Sequence, residues 1–229
     1  LACANAHHTL YAGHKNLAVA NLAGAGGLHD GIDTDAVAPN SAASLTLKQA
    51  NGEDFVLTKK DEVITFVNRN LEPYRGYHIF MRALPEILRQ RPNARVLIVG
   101  ADDVSYGARP DAAKYGAAKS KDIFANEVRS QISDADWQRV HFLGHVPYQY
   151  FIPLLQLSTV HVYLTYPFVL SWSLLEAMSA GCAIVASDTQ PLREAIVHNE
   201  TGKLVDFFDA SALANSVCEL LNNAEERKR

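Results

Sequence analysis

Hydrophobic residues from Asp61 onward fall into short β-branched runs that alternate with longer runs at helical spacing. This alternation is typical of βαβ units and predicts a mostly parallel sheet. The predicted strands are Val63 to Arg69, Ala94 to Gly100, Val140 to Val146, Thr159 to Tyr166, Ala183 to Ser187 and Gly202 to Asp206. The pattern therefore predicts a six-stranded sheet.

The longer stretches between these strands predict helices. In the stretch 76–90, Ile79, Ala83 and Ile87 recur four residues apart, as on one face of a helix. The other predicted helices are 150–157, 173–181 and 209–223, the last opening on an Asp that can cap it. Strands that are almost continuously hydrophobic are covered on both faces. The fold class is therefore predicted as α/β, a doubly wound, three-layer, Rossmann-like sheet.

The regions outside this pattern are loop-like. Residues 101–121 are rich in Asp, Ser, Tyr and Gly and predict a long surface connection, a kind of loop that is often functional. Residues 28–40 are rich in Asp and Gly and predict a linker. We therefore expect an N-terminal remnant and interdomain linker over 1–40 and the binding domain over 41–229. Because the chain starts at Leu1 without Met, we expect a fragment or a processed form.

Composition narrows the function classes. Hydrophobic residues make up 48% and charged residues 20% of the 229 residues, as in ordinary globular proteins. A net charge of -4 argues against nucleic acid as a partner. The 3 cysteines are odd in number and lack C-x-x-C spacing, so a reducing cytoplasm is expected. No apolar run reaches the roughly 20 residues of a membrane-spanning helix.

Ligands of open parallel sheets bind where the strands end at their carboxyl termini, so the turns there are the candidate sites. In the turn after the first strand of the sheet, Arg69 and Arg75 carry guanidinium groups that suit a diphosphate. Two solvated surface arginines would give the same sequence. After the third strand, backbone groups at His145 and Val146 could meet the edge of a nucleobase, although such a histidine is more often structural.

The third turn leads into the stretch "SLLEAMSAG". Ser173 and Glu176 fit a capping box, in which the serine accepts from a backbone amide and the glutamate reaches back to the cap. Alternatively, amide groups between Val169 and Trp172 bind an anion while Glu176 accepts hydrogen bonds from ligand hydroxyl groups. The local sequence leaves both interpretations open.

Together these turns resemble the donor-binding C-terminal domain of retaining glycosyltransferases with the GT-B fold, the large group 1 (family 4) set. The resemblance covers residues 28 to about 222 and is strongest at "FVLSWSLLEAMSAG", where the family writes E-G-F-G-L-x-x-L-E-A-M-A-x-G. Leu175, Glu176, Ala177, Met178 and Gly181 match this motif. Arg69 and Arg75 match the family's diphosphate-binding Arg and Lys, with one extra residue between them.

The chain departs from the family at the first glutamate of the motif, which is Phe168, and at two glycines, which are Val169 and Ser171. In the family the first acid contacts the transferred sugar and the second holds the ribose. The resemblance therefore implies that Arg69, Arg75 and Glu176 are the catalytic residues, with Glu176 binding the ribose. It further implies substrate contacts at His145, Val146, Phe168, Val169, Leu170, Ser171, Trp172 and Ser173.

The resemblance implies a nucleotide sugar as donor substrate and neither a cofactor nor a metal. It also implies that the acceptor domain is missing, so that the isolated chain is expected to be inactive; any peripheral membrane contact would come through that missing domain. Two alternatives stay open. One is a nucleotide-sugar epimerase of the same fold. The other is a noncatalytic nucleotide-sugar-binding protein, which the loss of the first glutamate at Phe168 would explain.

Overall fold

The computed structural model describes residues 31–48, 52–166 and 170–228 and contains a six-stranded sheet in which every strand pair is parallel. Its strands lie in the order β5-β4-β3-β6-β7-β8. Their bounds are β3 (Val63–Asn70), β4 (Arg95–Ala101), β5 (Val140–Gly144), β6 (Val160–Tyr163), β7 (Ala183–Ser187) and β8 (Lys203–Val205). The six strands predicted from the hydrophobic pattern are thus confirmed.

Helices connect these strands. They are α1 (Tyr77–Gln90), α2 (Ala112–Tyr115), α3 (Ser120–Arg129), α4 (Asp134–Trp137), α5 (Tyr148–Leu157), α6 (Trp172–Ser179), α7 (Gln190–Arg193) and α8 (Ala210–Asn222). The four predicted helices correspond to α1, α5, α6 and α8. The long connection at 101–121 includes the one-turn helix α2, which the sequence did not predict; Asp111 caps it by accepting from the amide of Ala113.

The core consists of two hydrophobic clusters, one on each face of the sheet, and the alternation of side chains along each strand divides them. In β3, Ile64 and Phe66 belong to the cluster that contains α1 and α8, whereas Val63 and Val67 belong to the cluster that contains α5 and α6. Each strand residue is thus covered from one side or the other, which explains the near-continuous apolar runs. The three-layer, doubly wound prediction is confirmed.

The chain reverses its direction of winding between β3 and β6. From β3 it proceeds outward to β4 and β5, then returns to β6 on the other side of β3 and proceeds to β7 and β8. Ile64 of β3 accordingly pairs with both Val96 and Val160. In sheets of this kind the crevice for a ligand opens at such a switch point, outside the carboxyl ends of the strands. The topology therefore points to the turns after β3 and β6.

A small antiparallel hairpin precedes the sheet, formed by β1 (Ser44–Lys48) and β2 (Asp54–Thr58) and packed against α5. The sequence analysis did not predict this hairpin. The described part of the expected linker, 31–40, packs onto the domain: Val37 is buried, and the carbonyl of Ala38 accepts a hydrogen bond of 2.7 Å from Gln156. Apolar side chains within this Asp- and Gly-rich stretch thus fix it beside α5 and α6.

Candidate functional site at the carboxyl edge of the sheet

A pocket of about 430 Å³ lies at the switch point between β3 and β6, a volume in the usual range for small-molecule sites. It is formed by the turns that follow three neighbouring strands. The lining residues are Tyr74 and Arg75 after β3, Ser105, Tyr106 and Gly107 after β4, and Thr165 and Tyr166 after β6. The pocket therefore lies where the topology requires a ligand crevice to open.

Arg75 supplies the positive charge of this pocket. It ends a short 3-10 helix, Pro73–Arg75, which leads from β3 into α1. One terminal nitrogen lies 3.4 Å from Oγ1 of Thr165, the other lies 3.5 Å from the hydroxyl of Tyr106, and the guanidinium carbon lies 5.3 Å from the centre of the Tyr106 ring. These distances are at the long limit for hydrogen bonds, and they place the guanidinium between the turns that follow β4 and β6.

Arg69, the other predicted diphosphate ligand, lies elsewhere. It is exposed near the end of β3, beside the register shift between Val67 and Asn70, and it is not among the residues that line the pocket. The structure thus brings Arg75 into the pocket and leaves Arg69 on the rim of the sheet.

A buried acid fixes the loop beside Arg75. Glu72 is 1% exposed, and its Oε2 accepts hydrogen bonds of 3.0 Å from the backbone amides of both Ser105 and Tyr106. Asn70 reinforces this attachment by donating to Oγ of Ser105 at 2.6 Å. The loop that follows β4 is therefore held against the turn that follows β3, and this places Tyr106 beside the guanidinium of Arg75.

Exposed aromatic side chains surround the same pocket. Tyr74 and Tyr166 meet edge to face with their ring centres 6.3 Å apart, and Tyr166 also meets Phe207 and Phe208 at 5.6 and 6.0 Å. Tyr74, Tyr166 and Phe208 are each close to half exposed or more. The pocket thus combines a cation with apolar ring faces and hydroxyl groups, a combination that suits a polar ligand with a flat apolar surface.

The capping-box interpretation of Ser173 and Glu176 is wrong. Helix α6 is capped by Ser171, whose side chain accepts from the amide of Ser173 at 3.2 Å, while the amide of Leu174 bonds to the carbonyl of Ser171. Glu176 therefore lies in the second turn of α6, too far along the helix to reach the cap. The amides of Ser173 and Leu174 are already used within the helix, which leaves fewer of them for an anion than expected.

Glu176 instead bonds to a residue of the neighbouring helix. The phenol of Tyr148, the first residue of α5, donates a hydrogen bond of 2.9 Å to Oε1 of Glu176. Burial raises the pKa of the Glu176 carboxyl above its ordinary value, and the hydrogen bond from Tyr148 lowers it. A glutamate that is 8% exposed and whose side chain, among the described residues, bonds to a neutral phenol is a candidate functional acid.

The remaining predicted contact residues lie around these two helices. His145 is exposed after β5, whereas Val146 and Leu170 are half-buried against the cluster that contains α5 and α6. Trp172 is 59% exposed at the first position of α6. Phe168 and Val169 lie outside the described residues. Of the described candidates, Arg75 thus lies in the pocket, Arg69 lies on the rim of the sheet, and the others lie at α5 and α6 or directly before them.

Several residues of the pocket were not predicted. Thr165 and Tyr166 end the predicted strand 159–166, so the rule that ligands bind at strand ends could have identified them. Tyr106 lies in the long loop 101–121, which was predicted as a surface connection of an often functional kind but without any residue assigned to a site. Nothing in the sequence indicated a role for Glu72, because an acid in a turn is usually solvated. Only the tertiary structure shows that this one is buried.

Two further features of the described residues concern metals and membranes. Within the three described ranges, no group of three or more His, Cys, Asp or Glu side chains is arranged to hold a metal ion. In the same part of the chain, no helix is both long and apolar enough to span a membrane.

Comparison with protein families gives a match over most of the chain. The sequence profile described as "Glycosyl transferases group 1" matches residues 48–229. Among curated proteins, the chain is 26% identical over 173 residues to a phosphatidyl-myo-inositol mannosyltransferase of Mycolicibacterium smegmatis, covering 74% of this chain and 38% of that protein. It is likewise 26% identical over 170 residues to a D-inositol 3-phosphate glycosyltransferase of Corynebacterium efficiens, covering 73% of this chain and 36% of that protein. The chain therefore spans less than half the length of these relatives.

Solved structures share the fold. The C-terminal domain of a glycosyl transferase group 1 family protein from Francisella tularensis aligns with a TM-score of 0.64 and 18% identity, covering 86% of this chain and 91% of that one. The HepE protein of Anabaena, solved in complex with UDP-glucose, aligns with a TM-score of 0.56 and 20% identity over 73% of this chain and 41% of that one.

Proposed function

The chain belongs to the group 1 glycosyl transferases, and we propose on that premise that it is the donor-binding domain of a retaining glycosyltransferase. Its ligand would be a nucleoside-diphosphate sugar. The observation that carries this proposal is the pocket at the switch point between β3 and β6, which contains the guanidinium of Arg75. A fixed cation at the carboxyl edge of a parallel sheet suits a diphosphate.

The proposed chemistry is stabilisation of charge on the leaving nucleoside diphosphate. Arg75 would donate hydrogen bonds to the phosphate oxygens as negative charge develops there, and Arg69 would add a second cation at the rim. Glu176, buried between α5 and α6, would accept hydrogen bonds from the ribose hydroxyl groups. Preorganised donors in a site of low dielectric constant are an effective means of stabilising a leaving group.

Two further contact regions belong to the same proposal. Backbone groups at His145 and Val146, after β5, would meet the edge of the nucleobase. Residues 168–173 would lie beside the phosphates and the sugar, with Ser171 and Trp172 at the start of α6. We predict a uridine or guanosine diphosphate sugar as donor. The glycosyltransferases among the relatives support a sugar donor, and the complex of HepE with UDP-glucose supports a nucleoside diphosphate as its leaving group.

Transfer itself would require more protein than these residues contain. The matched region is only 38% of the Mycolicibacterium relative, and group transfer requires donor and acceptor to be held together with water excluded. We propose that the 229 residues bind donor but transfer no sugar until an acceptor domain is joined to them. A cytoplasmic location stays a prediction; the free, buried Cys182 and Cys218 are compatible with it.

We further propose that donor binding needs no metal, because fixed cations take its place at the diphosphate. Calorimetry with UDP should give the same affinity with and without EDTA. A loss of affinity in EDTA that Mg²⁺ or Mn²⁺ restores would contradict this part of the proposal alone.

The central experiment is a panel of UDP-, GDP- and ADP-sugars read by thermal shift and calorimetry, followed by turnover of radiolabelled donor with the domain joined to an acceptor domain. Binding of a nucleoside-diphosphate sugar with transfer to an acceptor supports the proposal. Conversion of the donor sugar to its epimer without transfer would support the epimerase alternative. Binding with neither reaction would support the noncatalytic alternative, which Phe168 in place of the motif's first glutamate favours. Absence of any binding would overturn all three.

A further inference from the structure

The hydrogen bond between Tyr148 and Glu176 joins two residues of very different exposure. Tyr148 is 62% exposed, whereas Glu176 is 8% exposed, yet the phenol lies 2.9 Å from Oε1 of the carboxylate. The exposed phenol thus lies on the solvent side of an acid that is otherwise almost buried. None of the roles proposed above uses this contact.

We propose that Tyr148 is a positioning residue for nucleotide binding, occupying one oxygen of Glu176 so that the other is presented to the ribose hydroxyl groups. This inference rests on the proposed function, since it requires Glu176 to bind ribose. A carboxylate accepts hydrogen bonds at both oxygens, and a donor fixed on Oε1 restricts the rotation of the group. The ligand would then meet an acceptor that is already oriented, which lowers the entropic cost of binding.

The start of α5 and the ring of Phe151 hold Tyr148 in place. Tyr148 follows Pro147, which is the N-cap of α5, and its ring centre lies 6.1 Å from that of Phe151 one turn later. Phe151 is buried in the cluster that α5 and α6 share. The side chain of Tyr148 is therefore anchored on α5, and its hydroxyl contacts Glu176 on α6.

The same contact affects ionisation. Burial raises the pKa of Glu176, and the hydrogen bond from Tyr148 lowers it, because the phenol stabilises the charged carboxylate. Burial and the interaction with Glu176 raise the pKa of Tyr148 to about 12, with a smaller effect of Asp33 from the segment before the hairpin. The phenol thus stays protonated near neutral pH and can only donate to the carboxylate.

The test compares Tyr148→Phe with a matched control, Tyr150→Phe, which removes the same hydroxyl from a half-exposed tyrosine in the first turn of the same helix. The ligands are UDP and GDP, each with its 2′,3′-dideoxy form, and the measured quantity is the ratio of their dissociation constants. Wild type is expected to prefer the ribose form. Tyr148→Phe should reduce this preference about fivefold, the effect of one ordinary hydrogen bond, without changing affinity for the dideoxy form. Tyr150→Phe should change neither.

A second readout separates positioning from a structural role. The ribose preference should disappear as the pH falls and Glu176 becomes protonated, and in Tyr148→Phe it should disappear at a higher pH, because the variant lacks the donor that favours the charged acid. Melting temperatures verify that both variants are folded, as the exposure of Tyr148 leads us to expect.

The possible failures are distinguishable. If Glu176→Gln abolishes the ribose preference and Tyr148→Phe does not reduce it, the positioning role is wrong and the proposed function stands. If Tyr148→Phe weakens the ribose and dideoxy forms equally, the role of Tyr148 is structural and the inference is again wrong. If wild type binds neither UDP nor GDP, the proposed function fails and the inference fails with it.

Discussion

The backbone of Gly76 lies so close to Leu164 that a Cβ atom at position 76 would be 2.2 Å from the Cβ atom of Leu164. Gly76 also has a φ of 71°, in the left-handed region that side chains disfavour. Leu164 directly follows β6, and Gly76 directly follows Arg75. This contact therefore fixes the distance between the two turns that form the Arg75 pocket.

The first prediction concerns this contact. Gly76→Ala should lower the free energy of unfolding by about 2–5 kcal/mol, the sum of left-handed strain of about 1–2 kcal/mol and overpacking of about 1–3 kcal/mol. Gly116→Ala is the matched control, because Gly116 has a φ of 72° and nothing within 4 Å of its added Cβ. Urea unfolding should show only the strain cost at Gly116. Equal costs at the two positions would contradict the close approach to Leu164.

The second prediction concerns the cation of the pocket. Arg75→Ala should weaken binding of a nucleoside diphosphate by about 1.5–3 kcal/mol, the usual range for hydrogen bonds to charged groups. Arg82→Ala is the control, since it removes the same charge from the exposed face of α1, where Arg82 pairs with Glu127. Arg69→Ala should cost less than Arg75→Ala, because Arg69 lies outside the pocket. Calorimetry that finds Arg75→Ala and Arg82→Ala equally harmless would exclude Arg75 as a phosphate ligand.

The third prediction concerns Glu72 and the loop it holds. Glu72→Ala removes the acceptor of the Ser105 and Tyr106 amides, so both amides should exchange hydrogen faster and nucleotide affinity should fall as Tyr106 moves relative to Arg75. Glu72→Gln keeps a carbonyl oxygen that can accept both bonds and should retain most of the protection. Hydrogen exchange followed by NMR measures this directly. Unchanged exchange in Glu72→Ala would show that the loop does not depend on the acid.

The fourth prediction concerns His161, a fully buried residue of β6. Its Nδ1 lies 2.8 Å from Oγ1 of Thr65, and its Nε2 has no hydrogen-bond partner among the described residues. Burial lowers the pKa of His161 to about 3. Between this value and about pH 6.5, His161 is therefore neutral in the folded protein but protonated in the unfolded chain.

The contribution of neutral His161 to the free energy of unfolding therefore has its full value above about pH 6.5 and is lost as the pH falls toward about 3. Over this interval the free energy of unfolding should fall by about 1.4 kcal/mol per pH unit for this one group. His78 and His141, whose pKa values burial also lowers, act in the same direction. In urea titrations at several pH values, His161→Leu should show a shallower pH dependence than wild type. An identical slope in the two proteins would contradict the assignment.

The fold could be predicted because its signal is local. Each strand of the sheet is a short apolar run, and each main helix repeats apolar residues at helical spacing. A sheet that is buried on both faces can therefore be predicted from the order of residues alone. The hairpin of β1 and β2 was missed because only one face of it is buried, which leaves a weaker pattern, with Leu57 buried and Val56 58% exposed. The packing of residues 31–40 was missed because its two buried apolar residues, Ile32 and Val37, form no period in a polar stretch.

The site could be predicted only in part. The position of Arg75 in a strand-end turn follows from the strand before it and the glycine after it, and the structure adds that this turn lines a pocket. The cap of α6 was assigned to Ser173 instead of Ser171, because two serines offer the same short-range signal and the sequence does not decide between them. The ligand roles themselves stay predictions.

By itself the sequence determined the six strands of the parallel sheet, the four helices α1, α5, α6 and α8 and the family motif around Glu176, because these depend on neighbours along the chain. Only the tertiary structure decided which strand ends meet, that Glu72 holds the Tyr106 loop beside Arg75, and that Tyr148 donates to Glu176. The latter contacts join residues 34 and 28 positions apart, and such pairs carry no local pattern. They form because the sheet order places the segments after β3, β4, β5 and β6 at one edge, where most buried polar groups are hydrogen-bonded.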